Sequence, residues 1–152
     1  MSPVDTKPHQ APDALDRAVH RQVSRYTQGL SPASIAGAYI DWLVHLAMSP
    51  GKQQELLSKA ASKATRLALH AVHGATEKCN PCIDPLPQDR RFAAPEWQQW
   101  PFNLIYQSFL LNQQWWHNAT TGVRGVSAHH EDVATFFTRQ WLDMFSPSNF
   151  LA

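Results

Sequence analysis

Apolar side chains recur every three or four positions along the first half of the chain, the spacing that is typical of α-helices. The first such stretch begins at Asp13, and Gly29 behind it is a residue that favours the end of a helix. A second helix is predicted from Ser31-Pro32, because serine caps helices and proline fits their first turn. Residues 1–12 are polar and show no period, so we expect a disordered tail there.

A third stretch starts with the same cap signal at Ser49-Pro50 and ends before Gly74, which completes a predicted helical segment over residues 13–74. One side of this helix is mostly alanine, whereas another side is basic. A basic amphipathic helix can lie on an anionic surface or bind the groove of a partner, and a solvated basic face is the alternative. The residues proposed for such a contact are Lys59, Lys63 and Arg66.

Residues 75–95 interrupt the helical pattern with four prolines, which favour extended backbone in themselves and in the residues before them. We interpret this stretch as a Pro-rich linker and as the boundary between two segments, 13–74 and 96–152. Charged and aromatic side chains can hold an ordered linker on another domain, and an ordinary solvated loop is the alternative. The linker residues proposed for this contact are Arg90, Arg91 and Phe92.

Two more apolar stripes of helical spacing follow, over residues 102–110 and 133–145, with Gly122 and Gly125 between them. No segment alternates as a strand does, so we predict a mainly α fold of about five helices without a substantial sheet. Two helices alone do not close a core, and their aromatic stripes therefore predict an interface and self-association. The aromatic residues proposed for the interface are Tyr106, Phe109 and Trp141.

Composition excludes several classes of protein. The chain has 152 residues, of which 43% are hydrophobic, with six tryptophans, so it is not a disordered tail. Its net charge is +1, and no overall field favours nucleic acid. No apolar run is long enough to span a membrane, and no secretory signal opens the sequence. We therefore expect a cytoplasmic protein.

The two cysteines, Cys79 and Cys82, have the spacing of half a zinc site or of a redox pair. A second pair is absent, and the nearby prolines prevent the helix that lowers the pKa of a thioredoxin-type thiol. The sequence also contains no nucleophile elbow, no phosphate-binding loop and no dinucleotide motif. We therefore expect no catalytic residue, no metal site and no cofactor in this chain, and two thiols in an extended linker.

Three motifs follow one another in the second half: QDRRFAAPEW at residues 88–97, a block over 100–112, and QWLDMFSPSNF at 140–150. In the same order they resemble the N-terminal region of polyhydroxyalkanoate synthases, and the last is the strongest match. Upstream, residues 29–32 and 42–52 resemble a short additional N-terminal segment of a subset of these enzymes.

The resemblance extends over about residues 28–152 and implies an enzyme that polymerises 3-hydroxyacyl groups from coenzyme A thioesters. Its cysteine nucleophile and the Asp and His partners would lie on an α/β-hydrolase-like domain outside this chain, so neither Cys79 nor Cys82 is assigned that role. This chain would be the noncatalytic N-terminal region, which the resemblance links with dimerisation, activation and granule attachment. The implied partners are the catalytic domain or a second synthase copy, granule-associated proteins and the surface of a polyester granule.

Two other interpretations stay open. The chain could be a free-standing helical adaptor that binds a synthase or a granule protein, or a lipid-surface binder that uses the basic third helix. Its last residues, Phe150-Leu151-Ala152, follow a helix end without a polar tail, so we expect a piece of a longer protein.

Overall fold

A computed structural model describes residues 10–27, 29–74 and 81–151. Within these ranges the chain forms α-helices and short 3-10 helices and no strand, which confirms the predicted mainly α fold. None of the described helices is long and apolar enough to cross a membrane. The α-helices of the described ranges are α1 (Gln10–Tyr26), α2 (Pro32–Ala47), α3 (Pro50–Gly74), α4 (Phe102–Thr120) and α5 (Ala128–Met144). The 3-10 helices described are η1 (Pro95–Gln98) and η2 (Pro147–Asn149).

Local signals set the start of α2. Ser31 has extended backbone, and its side-chain oxygen accepts a hydrogen bond from the backbone N–H of Ser34 at 3.1 Å. Gly29, just before it, has a φ of +81°, a left-handed conformation that favours glycine. Its N–H donates to the carbonyl oxygen of Ser24, which closes the end of α1. The predicted stop and restart are therefore confirmed.

The first helix begins earlier than the sequence predicted. It starts at Gln10 instead of Asp13, so that it includes the last three residues of the predicted tail. Pro12 does not prevent this, because the N–H groups of the first turn have no partner within the helix. A proline in that turn therefore removes no hydrogen bond of the helix. Residues 1–9 lie outside the described part of the chain.

Helix α2 packs on α5, and the two helices run antiparallel, since Tyr39 contacts Thr138 whereas Asp41 contacts His130. Ala38 on α2 and Ala134 on α5 are fully buried in one cluster between these helices. Small side chains at such a crossing let two helix backbones come near each other. The first-half and second-half helices are thus in direct contact.

Two tryptophans join the remaining helices. The indole N–H of Trp42 on α2 donates to the carbonyl oxygen of Ala119 on α4 at 2.7 Å. The indole N–H of Trp115 on α4 donates to the carbonyl oxygen of Leu56 on α3 at 3.0 Å. A buried indole N–H needs such an acceptor, so these bonds fix the relative position of α2, α3 and α4. The division of the chain into domains at 75–95 stays a prediction.

The loop between α4 and α5 lies directly on α2. Gly125 has a φ of +97°, and a Cβ atom there would collide with the imidazole of His45. That imidazole contacts the carboxylate of Asp41 at 2.9 Å, and the same carboxylate lies 2.6 Å from Nδ1 of His130. Asp41 on α2 therefore contacts two histidines. The pKa of Asp41 is lowered, and hydrogen bonding from His130 is the main reason.

Candidate functional site

An aromatic cluster is buried where the linker meets α4. Phe92 is 2% exposed and stacks on Tyr106 with ring centroids 5.3 Å apart. Trp97 meets the edge of the same ring at 5.0 Å, and Phe109 lies at 6.0 Å. The structure thus brings together Phe92, Tyr106 and Phe109, which were predicted as contact residues from separate motifs. Their contacts are inside this chain, and the burial of Phe92 and Tyr106 leaves little surface for a partner.

Arg91 joins the linker to the end of α5. Its guanidinium donates to both carboxylate oxygens of Asp89, at 2.9 and 2.7 Å, and to Oδ1 of Asp143 at 2.8 Å. The same group lies 5.6 Å from the ring centre of Phe109, the distance of a cation–π contact. Hydrogen bonds from Arg91 lower the pKa of Asp89, and in return Asp89 is the first cause of the raised pKa of Arg91. Its neighbour Arg90 is exposed.

Sequence reasoning missed Gln107, whose side chain is fully buried on α4. Its amide nitrogen donates to the carbonyl oxygen of Ile83, and its amide oxygen accepts from the backbone N–H of Ile83, both at 2.9 Å. One side chain therefore satisfies both backbone polar groups of a linker residue. A polar residue inside an apolar helical stripe was the available signal, because a buried amide needs partners. Asp143, the partner of Arg91 on α5, was missed as well.

The three basic residues of α3 lie in different surroundings. Lys59 pairs with Glu55 at 2.6 Å on the same helix. Lys63 donates to the side-chain oxygen of Gln114 on α4, and the guanidinium of Arg66 donates to the carbonyl oxygen of Cys82. Burial, followed by the nearby charges of Arg66 and Lys59, lowers the pKa of Lys63. This side of α3 faces α4 and the linker, so it is not a uniformly solvated face.

The end of α5 exposes large apolar side chains. We define the C-terminal apolar surface as Trp141, Met144, Phe145 and Phe150, which are 42–70% exposed. Trp141 stacks on Phe145 with centroids 5.9 Å apart and contacts the edge of Phe137 at 6.1 Å. Trp141, a predicted interface residue, is therefore held in position by its neighbours while much of it stays in contact with solvent.

No group of three or more His, Cys, Asp or Glu side chains among the described residues could hold a metal ion. Within the predicted cysteine pair, Cys79 lies outside those residues. The thiol of Cys82 lies 3.5 Å from the carbonyl oxygen of Arg66 within α3, which is the geometry of a weak hydrogen bond.

Two protein families match the sequence, and both concern the same enzyme. The family described as "Poly-beta-hydroxybutyrate polymerase N terminal" matches residues 10–52, which include α1 and α2. The family described as "Poly-beta-hydroxybutyrate polymerase (PhaC) N-terminus" matches residues 88–152, which include the aromatic cluster and the C-terminal apolar surface. Both matches overlap the motifs that resemble polyhydroxyalkanoate synthases. The first match begins at residue 10, whereas that resemblance began at about residue 28.

Similar curated proteins are much longer than the matched stretch. A poly(3-hydroxyalkanoate) polymerase of Methylorubrum extorquens is 40% identical over 72 residues, which cover 47% of this chain and 12% of that protein. A polymerase subunit of Rhizobium etli is 30% identical over 76 residues, which cover 45% of this chain and again 12% of the relative. No solved structure matches significantly. By these matches, the chain belongs to the N-terminal region of the polyhydroxyalkanoate synthase family.

Proposed function

We propose that this chain is the noncatalytic N-terminal region of a polyhydroxyalkanoate synthase and that it supports the enzyme by docking on the catalytic domain through the C-terminal apolar surface. The observation that carries the proposal is the exposure of this surface, with Phe145 61% and Phe150 70% exposed. Both residues lie within the second family match. Large apolar side chains gathered at one end of a domain mark an interaction surface.

The packing around this surface favours binding, because its central ring is already ordered. Trp141 is held between Phe137 and Phe145. The same end of α5 is joined to the linker by Asp143, which accepts from Arg91 and, at 2.6 Å, from the side-chain amide of Gln113. Side chains that are ordered before binding lose less conformational entropy when the complex forms.

Three further roles belong to the same proposal. Docking on the catalytic domain would raise the rate of polymerisation, and contact with a second synthase copy would give dimers. Attachment to a polyester granule or to a granule-associated protein would place the enzyme at the granule surface in the cytoplasm. The family match and the exposed apolar side chains support these roles.

The test uses a synthase of this family from which the corresponding N-terminal region has been removed. The chain is added in trans and, separately, fused in cis, and coenzyme A release from 3-hydroxybutyryl-CoA is measured. We expect a higher rate or a shorter lag in at least one arrangement. The variant Trp141→Ser/Phe145→Ser should lose this effect while circular dichroism shows that it remains helical.

Its matched control is Leu15→Ser/Tyr26→Ser, which removes two exposed apolar side chains from α1 and should stimulate as well as the unchanged chain. Equal stimulation by the Trp141/Phe145 variant would show that the C-terminal apolar surface is not the contact. A folded chain without effect in either arrangement would contradict the supporting role itself. Light scattering on the same samples separates stimulation through dimerisation from stimulation within one enzyme.

A further inference from the structure

A cleft between α3 and α4 is lined only by side chains that can donate hydrogen bonds. Its walls come from two helices that the Trp115–Leu56 hydrogen bond holds together, so the backbones that carry the donors are held next to one another. Among the described residues, no carboxylate lines it. The lining residues are Lys59, Ser62, Lys63, Arg66, Gln114 and Asn118.

Two of the three positive charges in this cleft are not neutralised by a carboxylate. The partners of Lys63 and Arg66 are neutral oxygens, those of Gln114 and of the Cys82 carbonyl. Neither residue takes part in an ion pair within the described part of the chain. Glu55, on the same helix as Lys59, pairs with Lys59 at 2.6 Å and with Lys52 at 3.4 Å.

The arrangement is electrostatically unfavourable without an anion. Like charges in a partly buried site repel each other more strongly than they do in bulk water. Burial is the largest cause of the lowered pKa of Lys63, and repulsion from the charges of Arg66 and Lys59 lowers it further. A bound anion would raise the pKa of Lys63 again, since an opposite charge within a few ångströms favours the protonated amine.

We propose that this cleft is a binding site for a phosphate group, carried by a soluble phosphate ester or diphosphate or by a lipid headgroup. A tetrahedral oxyanion accepts several charge-assisted hydrogen bonds at once, and lysine and arginine beside hydroxyl and amide donors supply them here. The cleft lies on the α3 side of α4, and no residue of α5 lines it. It is therefore separate from the C-terminal apolar surface, and the two proposals stand or fall independently.

The first experiment is calorimetric titration of the full chain with inorganic phosphate and with pyrophosphate at low ionic strength. We expect saturable binding that is tighter for pyrophosphate and weakens with added salt, because salt screens partly exposed charges. The double variant Lys63→Gln/Arg66→Gln should bind at least about tenfold more weakly. The charge-matched control Arg21→Gln/Arg25→Gln removes two positive charges from α1 and should bind as the unchanged chain does.

Because Arg66 also holds the linker carbonyl of Cys82, a second variant tests the site without disturbing that bond. Asn118→Asp places a carboxylate in the cleft and should abolish phosphate binding by repulsion, whereas Asn112→Asp on an exposed position of the same helix should not. Equal binding by both aspartate variants would show that the phosphate binds elsewhere and would overturn the proposal.

Vesicles distinguish the two sources of phosphate. The chain is sedimented with phosphatidylcholine vesicles that either contain or lack phosphatidylglycerol. Sedimentation only with the anionic lipid, lost in Asn118→Asp and kept in Asn112→Asp, identifies a headgroup. Calorimetric binding without sedimentation identifies a soluble ligand. Absence of both, in a chain that circular dichroism shows to be folded, would refute the site.

Discussion

Helix α1 and the linker segment 81–94 show opposite relations between pattern and packing. In α1 the helical spacing of apolar residues is clear, yet Leu15, Val19 and Tyr26 are 52–66% exposed. The linker has no periodicity, yet its Phe92 is 2% exposed at the centre of an aromatic cluster. Periodicity tells which side chains could be buried together. Whether they are buried depends on a second surface, which α4 provides for the linker.

The largest effect on stability is expected when the buried ring of Phe92 is removed. Phe92→Ala should lower the free energy of unfolding by about 3–5 kcal/mol, because the cavity would lie among three other aromatic rings. Val19→Ala on α1 should change it by no more than about 0.5 kcal/mol. Urea unfolding followed by circular dichroism measures both. Similar losses in the two variants would mean that linker and helix contribute equally.

A smaller effect is expected from the polar contact that orders the same linker. Gln107→Leu keeps the volume but leaves the N–H and carbonyl of Ile83 without their side-chain partner, which should cost about 1–3 kcal/mol. Amide hydrogen exchange at Ile83 should become faster, while exchange in α1 stays the same. The exposed Gln99→Leu is the matched control. Unchanged exchange at Ile83 would mean that other contacts order the linker.

The smallest effect concerns the charges that hold the linker. The pKa of Asp89 is lowered by hydrogen bonds from Arg91, so their stabilisation is present above about pH 4 and is lost as the pH falls through the folded-state pKa. Asp89→Asn should therefore destabilise the chain at pH 7 by about 1 kcal/mol or less, and this difference should shrink in acid. Unfolding at both pH values, with the exposed Asp132→Asn as control, measures it. If the loss in free energy of unfolding were the same at both pH values, the effect of Asp89→Asn would come from packing and not from charge.

Much of the secondary structure could be predicted, because helix ends depend on neighbours in the sequence. The Ser31 cap and the left-handed Gly29 needed no knowledge of tertiary structure. The start of α1 was placed three residues late, since proline near a helix start is compatible with either side of the boundary. The pairing of α2 with α5 could not be predicted from local sequence patterns, because residues such as Asp41 and His130 are 89 positions apart.

The candidate sites were predicted as residue types and not as arrangements. Arg91 and Phe92 were singled out in the linker as residues for a contact, but their partners on α4 and α5 could not be named from spacing. Lys63 and Arg66 were identified as a basic face of α3. Their convergence on Gln114 and Asn118 depends on how α4 packs against that face, which periodicity does not specify.

The contact between Gly125 and His45 couples two distant positions of the sequence. A side chain at the glycine would need both a left-handed backbone and the space that the imidazole fills, so the loop admits a new residue there only if position 45 becomes smaller. The size of the residue at position 45 therefore restricts which residues position 125 can accept. Substitution at the glycine alone is barred, and even with a smaller residue at position 45 the φ of +97° would still strain a side chain at position 125.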